Sequence, residues 1–405
     1  MATTPARALP AATVFVAMSA VGGFLLSVVG TLSSVYLILE VGLDPLQLVL
    51  VGTVLEGTAL VFEIPTGVVA DVVSRRTSVV IGTLLTGVGF CLYAVPAFGV
   101  ILAAQVVWGL GATFVSGAAV AWMVDEVGED DAGPLLLRGA QAARVAAFVG
   151  IGASVALGAV ALWLPVLAGG LTSIALGLWL AAAMPEQGFA RPPPTRPWTA
   201  AADTLRATAS SVRARPVLLA VLLVAALHGM STEGFDRLWE LALLRSVSLP
   251  EVGSLGVLPW FGLLRAGGLL LAIGATVVIR RRLDVRGAGA AARALLVVDG
   301  LQLVAGVAYG LASSLAVAVA AYWAGSLLRQ LHGPLFNTWL NTGLASRSRA
   351  TVNSAASQAD ALGQVTGGPV LGLIASARSV AAALVASGLV RAPTLAVLAW
   401  SRTPR

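Results

Sequence analysis

The chain is poor in the residues that most soluble enzymes depend on. It has no lysine, one cysteine (Cys91) and two histidines (His228 and His332) in 405 residues. One cysteine excludes an internal disulfide. Two histidines far apart in the sequence offer no metal-ligand spacing. No GxxxxGK[ST] loop or GxSxG elbow occurs, so nothing marks an ATPase or a hydrolase, and no cofactor is expected. Charge is scarce as well, at 11% of residues against 58% hydrophobic, where soluble proteins carry about 25% charged residues. The net charge of +6 comes without the aromatic-basic interleaving that grips nucleic acid, so no nucleic-acid partner is expected.

What is present is long apolar runs. Residues 8–39, 77–124 and 145–185 contain no charged side chain, and each exceeds the roughly 18 apolar residues that mark a membrane span. Breaking the chain at charge, proline and glycine clusters predicts helices near 12–38, 46–70, 79–95, 100–124, 138–162, 166–184, 216–243, 252–278, 291–311, 315–342, 351–375 and 379–400. The expected fold is an all-α polytopic membrane protein with the lipid bilayer as its solvent. Its first run is too long for a signal-peptide core and reads as an uncleaved span. One connection is long. Residues 185–215 carry a proline cluster and five arginines and read as a cytoplasmic linker, partly an amphipathic surface helix. It separates a bundle over 1–184 from a second over 216–405.

Orientation follows from arginine. With the N-terminus inside, the inner segments hold Arg7, Arg75, Arg76, Arg138, the linker arginines, Arg280, Arg281, Arg282, Arg286, Arg293, Arg347, Arg349, Arg402 and Arg405. The outer loops hold only Arg245 and Arg378. The excess predicts that both termini are cytoplasmic. A weak internal echo joins the halves: Gln141-Ala142 followed by Gly150 recurs as Gln358-Ala359 followed by Gly367. Six helices on each side of a cytoplasmic linker is how carriers built from parallel repeats are organised.

Between the second and third helices runs Gly67-Val-Val-Ala-Asp71-Val-Val-Ser-Arg75-Arg76. It resembles the signature loop of the major facilitator superfamily, roughly G-x-L-a-D-r-x-G-r-k. The glycine, alanine, aspartate and both terminal basic residues are kept; Val72 and Ser74 depart from it. The resemblance implies two pseudo-symmetric six-helix bundles, a monomer in the cell inner membrane and a small-molecule substrate. It also implies a cytoplasmic latch formed by Gly67, Asp71, Arg75 and Arg76. The two arginines could instead serve only as topology signals, or pair with Asp71 or the acidic 125–131 segment. Glu63 and Pro65 read as structural features of the same helix end.

Ionisable groups inside spans are costly and count as functional candidates. The seventh predicted helix carries HGMSTEGFDRLWE, with His228, Glu233, Asp236, Arg237 and Glu240. Glu233 and Arg237 are four apart and share a face. Glu233 and Asp236 are the leading candidates for proton coupling, against an outer-gate set of salt bridges. Glu56 lies about 15 Å from either end of its helix at roughly 1.5 Å per residue. It either exchanges a proton or pairs with an arginine such as Arg265, Arg329 or Arg144. Asp360 offers the same choice. Asp299 and Arg391 sit in helices that the resemblance makes peripheral, and read as a structural pair or as interfacial groups.

The resemblance makes helices one, four, seven and ten the cavity lining. On them Gln105, Trp108 and Phe114, with Arg329, His332, Asn337 and Trp339, mix aromatic walls with sparse hydrogen-bonding groups. Such a wall suits a medium-sized amphipathic substrate, although each tryptophan could equally be an interfacial anchor. The drug/proton antiporter branch usually has arginine where this chain has Gln105, ahead of Gly109-Leu110-Gly111, and a Gly-Pro signature in the fifth helix that is absent here. The eleventh instead carries Gly363, Gly367, Gly368, Pro369 and Gly372. The expectation is proton-coupled efflux of a small amphipathic compound. Nutrient or organic-ion uptake, and a non-transporting receptor or scaffold, remain open beside it.

Overall fold

A computed structural model describes residues 9–189, 216–282, 288–341 and 346–400. The surface helix expected within 190–215 lies outside the described residues. Twelve helices run through the rest: α1 (Ala11–Leu39), α2 (Pro45–Val72), α3 (Arg75–Tyr93), α4 (Phe98–Val127), α5 (Glu129–Gly158), α6 (Leu164–Ala183), α7 (Pro216–Ser246), α8 (Leu258–Arg282), α9 (Ala288–Gly310), α10 (Leu315–Asn341), α11 (Ser346–Ala377) and α12 (Val380–Trp400). Among the described residues there is no strand, and nine helices are long and apolar enough to cross a bilayer by themselves. The chain is an all-α multi-pass membrane protein. Hydrocarbon leaves no other spanning option to an open chain, because each backbone N–H and C=O must find its partner within the segment. Of the other three, α8 is apolar over the shorter stretch Leu258–Gly274, while α10 and α11 carry the polar residues of the site described below.

Two helix starts differ from expectation. α5 begins at Glu129, well before the expected 138, because Gly128 (φ 86°) ends α4 and turns the chain at once. Glu129, Asp130 and Asp131 then fill its first turn, where the positive end of the helix dipole stabilises carboxylates. α8 begins late, at Leu258. The preceding turn places Gly253 and Gly256 at positive φ, and Pro250 accepts a hydrogen bond from Trp260 Nε1 at 2.8 Å. α3 starts where Ser74 Oγ accepts from the backbone N–H of Thr77 at 2.9 Å, an N-cap in the strict sense.

Among the described residues, contacts divide the chain into two compact units: residues 9–42 with 58–189, and residues 43–57 with 216–400. The start of α2 therefore clusters with the second unit. In the first unit α1 and α5 cross at glycines. A Cβ added at Gly23 would overlap the backbone of Ala143, and one at Gly150 would meet the Phe24 carbonyl and Ser27. In the second unit α7 and α11 cross the same way. A side chain at Gly229 would fall on the Asp360 carbonyl, one at Gly363 on the Ala226 carbonyl, and one at Gly367 on Met230. The two echoed glycines thus do the same work in their own units, holding the fifth helix against the first and the eleventh against the seventh. Small residues at such crossings let backbones approach where no hydrophobic drive between helices exists.

Overpacking there is costly. Gly363→Val is expected to lower stability by about 1–3 kcal/mol, read as a lower thermal midpoint in detergent. Gly152→Ala, whose added Cβ meets nothing within 4 Å, should leave the midpoint within a degree of wild type. Equal shifts in the two variants would overturn the packing account.

Candidate functional site

Among the described residues, four acid–base contacts organise the second unit, and three use α7. Glu233, 2% exposed, accepts from Arg237 Nε at 3.0 Å one turn along the same helix. Asp236 takes Arg329 Nη1 of α10 on both carboxylate oxygens, at 2.6 and 2.7 Å. The Arg329 guanidinium also lies over the Phe235 ring, 5.7 Å from its centroid. Glu240, fully buried, accepts from Arg265 Nη2 of α8 at 3.3 Å. The period of 3.6 residues gathers these three carboxylates on one face of α7, since residues three, four and seven apart lie above one another along a helix. Of the arginines considered as partners for Glu56, Arg265 and Arg329 are therefore engaged elsewhere. Glu56 belongs to the α2 segment that clusters with this unit and lies within electrostatic range of Glu233, Arg237 and Asp360.

The fourth contact lies between α7, α9, α10 and α12. Asp299, fully buried on α9, accepts from Arg391 Nη1 at 3.1 Å and from His332 Nδ1 at 2.9 Å. The same Arg391 Nη1 is 3.3 Å from His228 Nδ1. The two imidazoles, isolated in the sequence, lie face to face with centroids 3.9 Å apart and planes within 4°. Phe336 continues the stack beside His332 at 5.7 Å. This overturns the expectation that the histidines stand alone. Arg391 is the one charged residue of its apolar helix and Asp299 the one acid of its own, which was the available signal for that pair. Nothing local announces the stack.

Two imidazoles and a carboxylate with ligand atoms all within 4.8 Å of one another have the composition of a divalent-metal site. The donor set does not fit that use. A guanidinium nitrogen sits within 3.3 Å of two of the three ligand atoms, so the place a cation would take is filled by one supplied by the chain.

His228 and His332 also border a cavity of about 670 Å³ within the second unit. Its polar wall is Asn337, Asn341, Asn353, Ser357 and Asp360; its apolar wall includes Leu340 and Phe336. Asn341 and Asn353 exchange amide hydrogen bonds at 3.2 Å, and Gln364 donates to Asp360 at 2.8 Å. Among the expected cavity residues, His332 and Asn337 line this space. Arg329 lines a smaller neighbouring pocket with Gln302 and Arg391. Trp339 is buried in the hydrophobic core with Leu335 and Val352.

The remaining candidates lie in the first unit. Gln105 is 1% exposed, and its Oε1 has no hydrogen-bond partner among the described residues. Trp108 packs edge-on against Phe90 at 4.9 Å, and Phe114 sits where α4 meets Gly82 of α3. Of the signature-loop residues, Arg75 bonds Asp125 and the Ala121 carbonyl and lies 3.7 Å from Asp71. Gly67 faces open space. Arg76 donates its backbone N–H to Glu186 at 3.0 Å, and Ser74 Oγ donates to the same carboxylate at 2.8 Å. Trp122 Nε1 donates to the Pro185 carbonyl at 2.7 Å, and Glu126 accepts from the N–H groups of Gln187 and Gly188. Ser74, a departure from the family pattern, thus helps to fasten the segment after α6. Sequence reasoning did not assign this role to Glu186 or Glu126.

A family model described as Major Facilitator Superfamily matches residues 12–368. An uncharacterized MFS-type transporter, YxaM of Bacillus subtilis (strain 168), is 26% identical over 168 residues. That alignment covers 41% of this chain and 42% of the relative, so it spans less than half of the relative's length. Solved structures with the same fold include the nucleoside transporter NupG, with TM-score 0.76 and 15% identity over 97% of this chain and 98% of that one. The peptide transporter POT in complex with sulfate superposes with TM-score 0.76 and 14% identity over 98% and 96%. A bacterial homolog of the human lysosomal transporter Spinster gives 0.72 and 15% over 100% and 98%. At such identities these likenesses carry the fold alone.

Proposed function

The chain belongs to the major facilitator superfamily, and from that membership we propose that it exports a small amphipathic organic compound by alternating access, driven by protons. It is a membrane transporter of a small molecule; the direction, the coupling ion and the cargo class are the proposal. The observation that carries it is the 670 Å³ cavity, within the roughly 300–1,000 Å³ range of small-molecule sites. The cavity sets amides, a hydroxyl, a carboxylate and two imidazoles among Phe336, Leu340 and alanines. A wall of that kind wets one side of a cargo and shelters the other.

The coupling candidates are Glu56, Glu233, Asp236 and Asp360, of which Asp360 borders the cavity. Asp71, Arg75 and Arg76, with Gly67, are proposed as the cytoplasmic latch, in a monomer of the inner membrane with both termini in the cytoplasm. Uptake is the second reading, since nucleoside and peptide transporters share the fold.

The test uses purified protein in liposomes under an imposed pH gradient. Lipophilic cations, neutral aromatics and sugars are added in turn while internal pH is recorded. Substrate-dependent proton flux is expected with one of the first two classes. Glu56→Gln, Glu233→Gln, Asp236→Asn and Asp360→Asn are run alongside to assign the coupling group. Transport with a flat internal pH in wild type would refute proton coupling.

A further inference from the structure

We propose that the stacked His228–His332 pair is a proton-binding site of the transport cycle, taking one proton at a time from the cavity onto His332 Nε2. The inference rests on the proton-coupled reading above and deepens it.

The bond partners dictate both tautomers. A guanidinium only donates, so His228 Nδ1, which faces Arg391 Nη1, must accept and carry its proton on Nε2. Asp299 is ion-paired to Arg391 and only accepts, so His332 Nδ1 must donate to it. His332 is left with a lone pair on Nε2, on a ring that borders the cavity. Imidazole is the side chain whose ordinary titration falls near physiological pH, and these are the chain's only two. The α7 carboxylates, by contrast, each already hold an arginine.

The surroundings choose between the rings. From α12, Arg391 faces His228, and from α10 Arg329 also acts on it. From α9, Asp299 contacts His332 directly, and from α11 Asp360 lies within electrostatic range of it. On α8, Arg265 is engaged by Glu240. The contacts therefore assign the added proton to His332, whose ring bonds an acid, and not to His228, whose ring bonds a guanidinium. A second proton would set two cations face to face at 3.9 Å, so the pair is coupled and binds one proton rather than two. The step is a plain transfer: a hydronium in the cavity gives its proton to Nε2 and leaves water, and the reverse transfer releases it on the other side of the membrane. Because His332 and Arg391 share Asp299, loading the ring alters the ion pair that joins α9 to α12.

With only two histidines, a histidine-free affinity tag and ¹⁵N-histidine labelling in nanodiscs allow both rings to be followed by NMR. At pH 8 one ring should show the Nδ1–H tautomer and the other Nε2–H, with His332→Gln assigning the first to His332. On acidification the pair should take up one proton, one ring gaining its second N–H while the other keeps its tautomer. Two rings charging independently, or none charging, would overturn the site. In liposomes the protons moved per substrate should fall from one toward zero in His332→Gln. Wild type that shows the NMR proton uptake and transports without proton flux would sink the proton-coupled reading and leave the binding site standing. Wild type and His332→Gln with equal proton-to-substrate ratios would sink the coupling role. If the variant fails to fold, the wild-type titration still decides the site.

Discussion

Arg391→Met is expected to destabilise the second unit by about 3–5 kcal/mol, the typical result of removing one partner from a buried ion pair. Asp299 is fully buried and Arg391 is 5% exposed, so neither charge has water to fall back on. Without the guanidinium, Asp299 keeps only His332 Nδ1, and its carboxylate must remain charged at high cost or take up a proton. Asp299→Asn alone should be comparably damaging, since it strands Arg391 beside His228. The double variant Asp299→Asn/Arg391→Met should recover most of the loss, because well-packed neutral groups often replace a buried pair at little cost. Reversible unfolding of all four proteins in the same detergent measures the coupling. Additive losses in the double variant would mean that the two side chains do not act as a pair.

Arg329→Gln should reduce initial transport rates at least tenfold, with only a modest loss of stability. Asp236 and Arg329 have side chains 45% and 33% exposed, so their attraction is screened and contributes about 0–1 kcal/mol to folding. Their place matters more. The pair ties α7 to α10, the helices that carry His228 and His332, and Arg329 stacks over Phe235. Loss of the arginine leaves Asp236 without its partner while Phe235 loses the cation above it. The exchange variant Asp236→Arg/Arg329→Asp restores opposite charges on the same two helices, and its rate should exceed that of either single exchange. Rates within twofold of wild type for Arg329→Gln would dismiss the pair as a functional element.

Most of the fold was legible because hydrocarbon allows so few alternatives. Long uncharged runs can only be spans, and the twelve predicted helices match those observed apart from a few ends. The α5 start was misread because three consecutive acids resemble a loop. In place they sit on a helix dipole behind a glycine at positive φ. Local spacing also foretold the Glu233–Arg237 pair, which needs only one helix to form. The site's other contacts were hidden for a physical reason. Asp236 with Arg329, Glu240 with Arg265, and His228 on His332 join different helices, and depth along a span does not tell which way a side chain turns. Trp339 illustrates the same limit: its composition and position suited a cavity wall, yet it is buried in the core.

The Asp299–Arg391 contact joins α9 to α12, three helices further along the chain, and this constrains how the protein is made. A ribosome delivers α9 to the membrane before α10, α11 or α12 exists. Until α12 emerges, an acid destined for a fully buried position lacks the arginine that pairs with it. Polar groups in this predicament hold a nascent segment at the insertion channel or leave it open to capture by quality control. A chain cut short after Ala377 would retain the acid without its counterpart, and should be degraded faster than one cut short after Ala377 that also carries Asp299→Asn. Secure insertion of α9 thus waits on a helix synthesised three later, so the order of translation bears on the fate of the nascent chain.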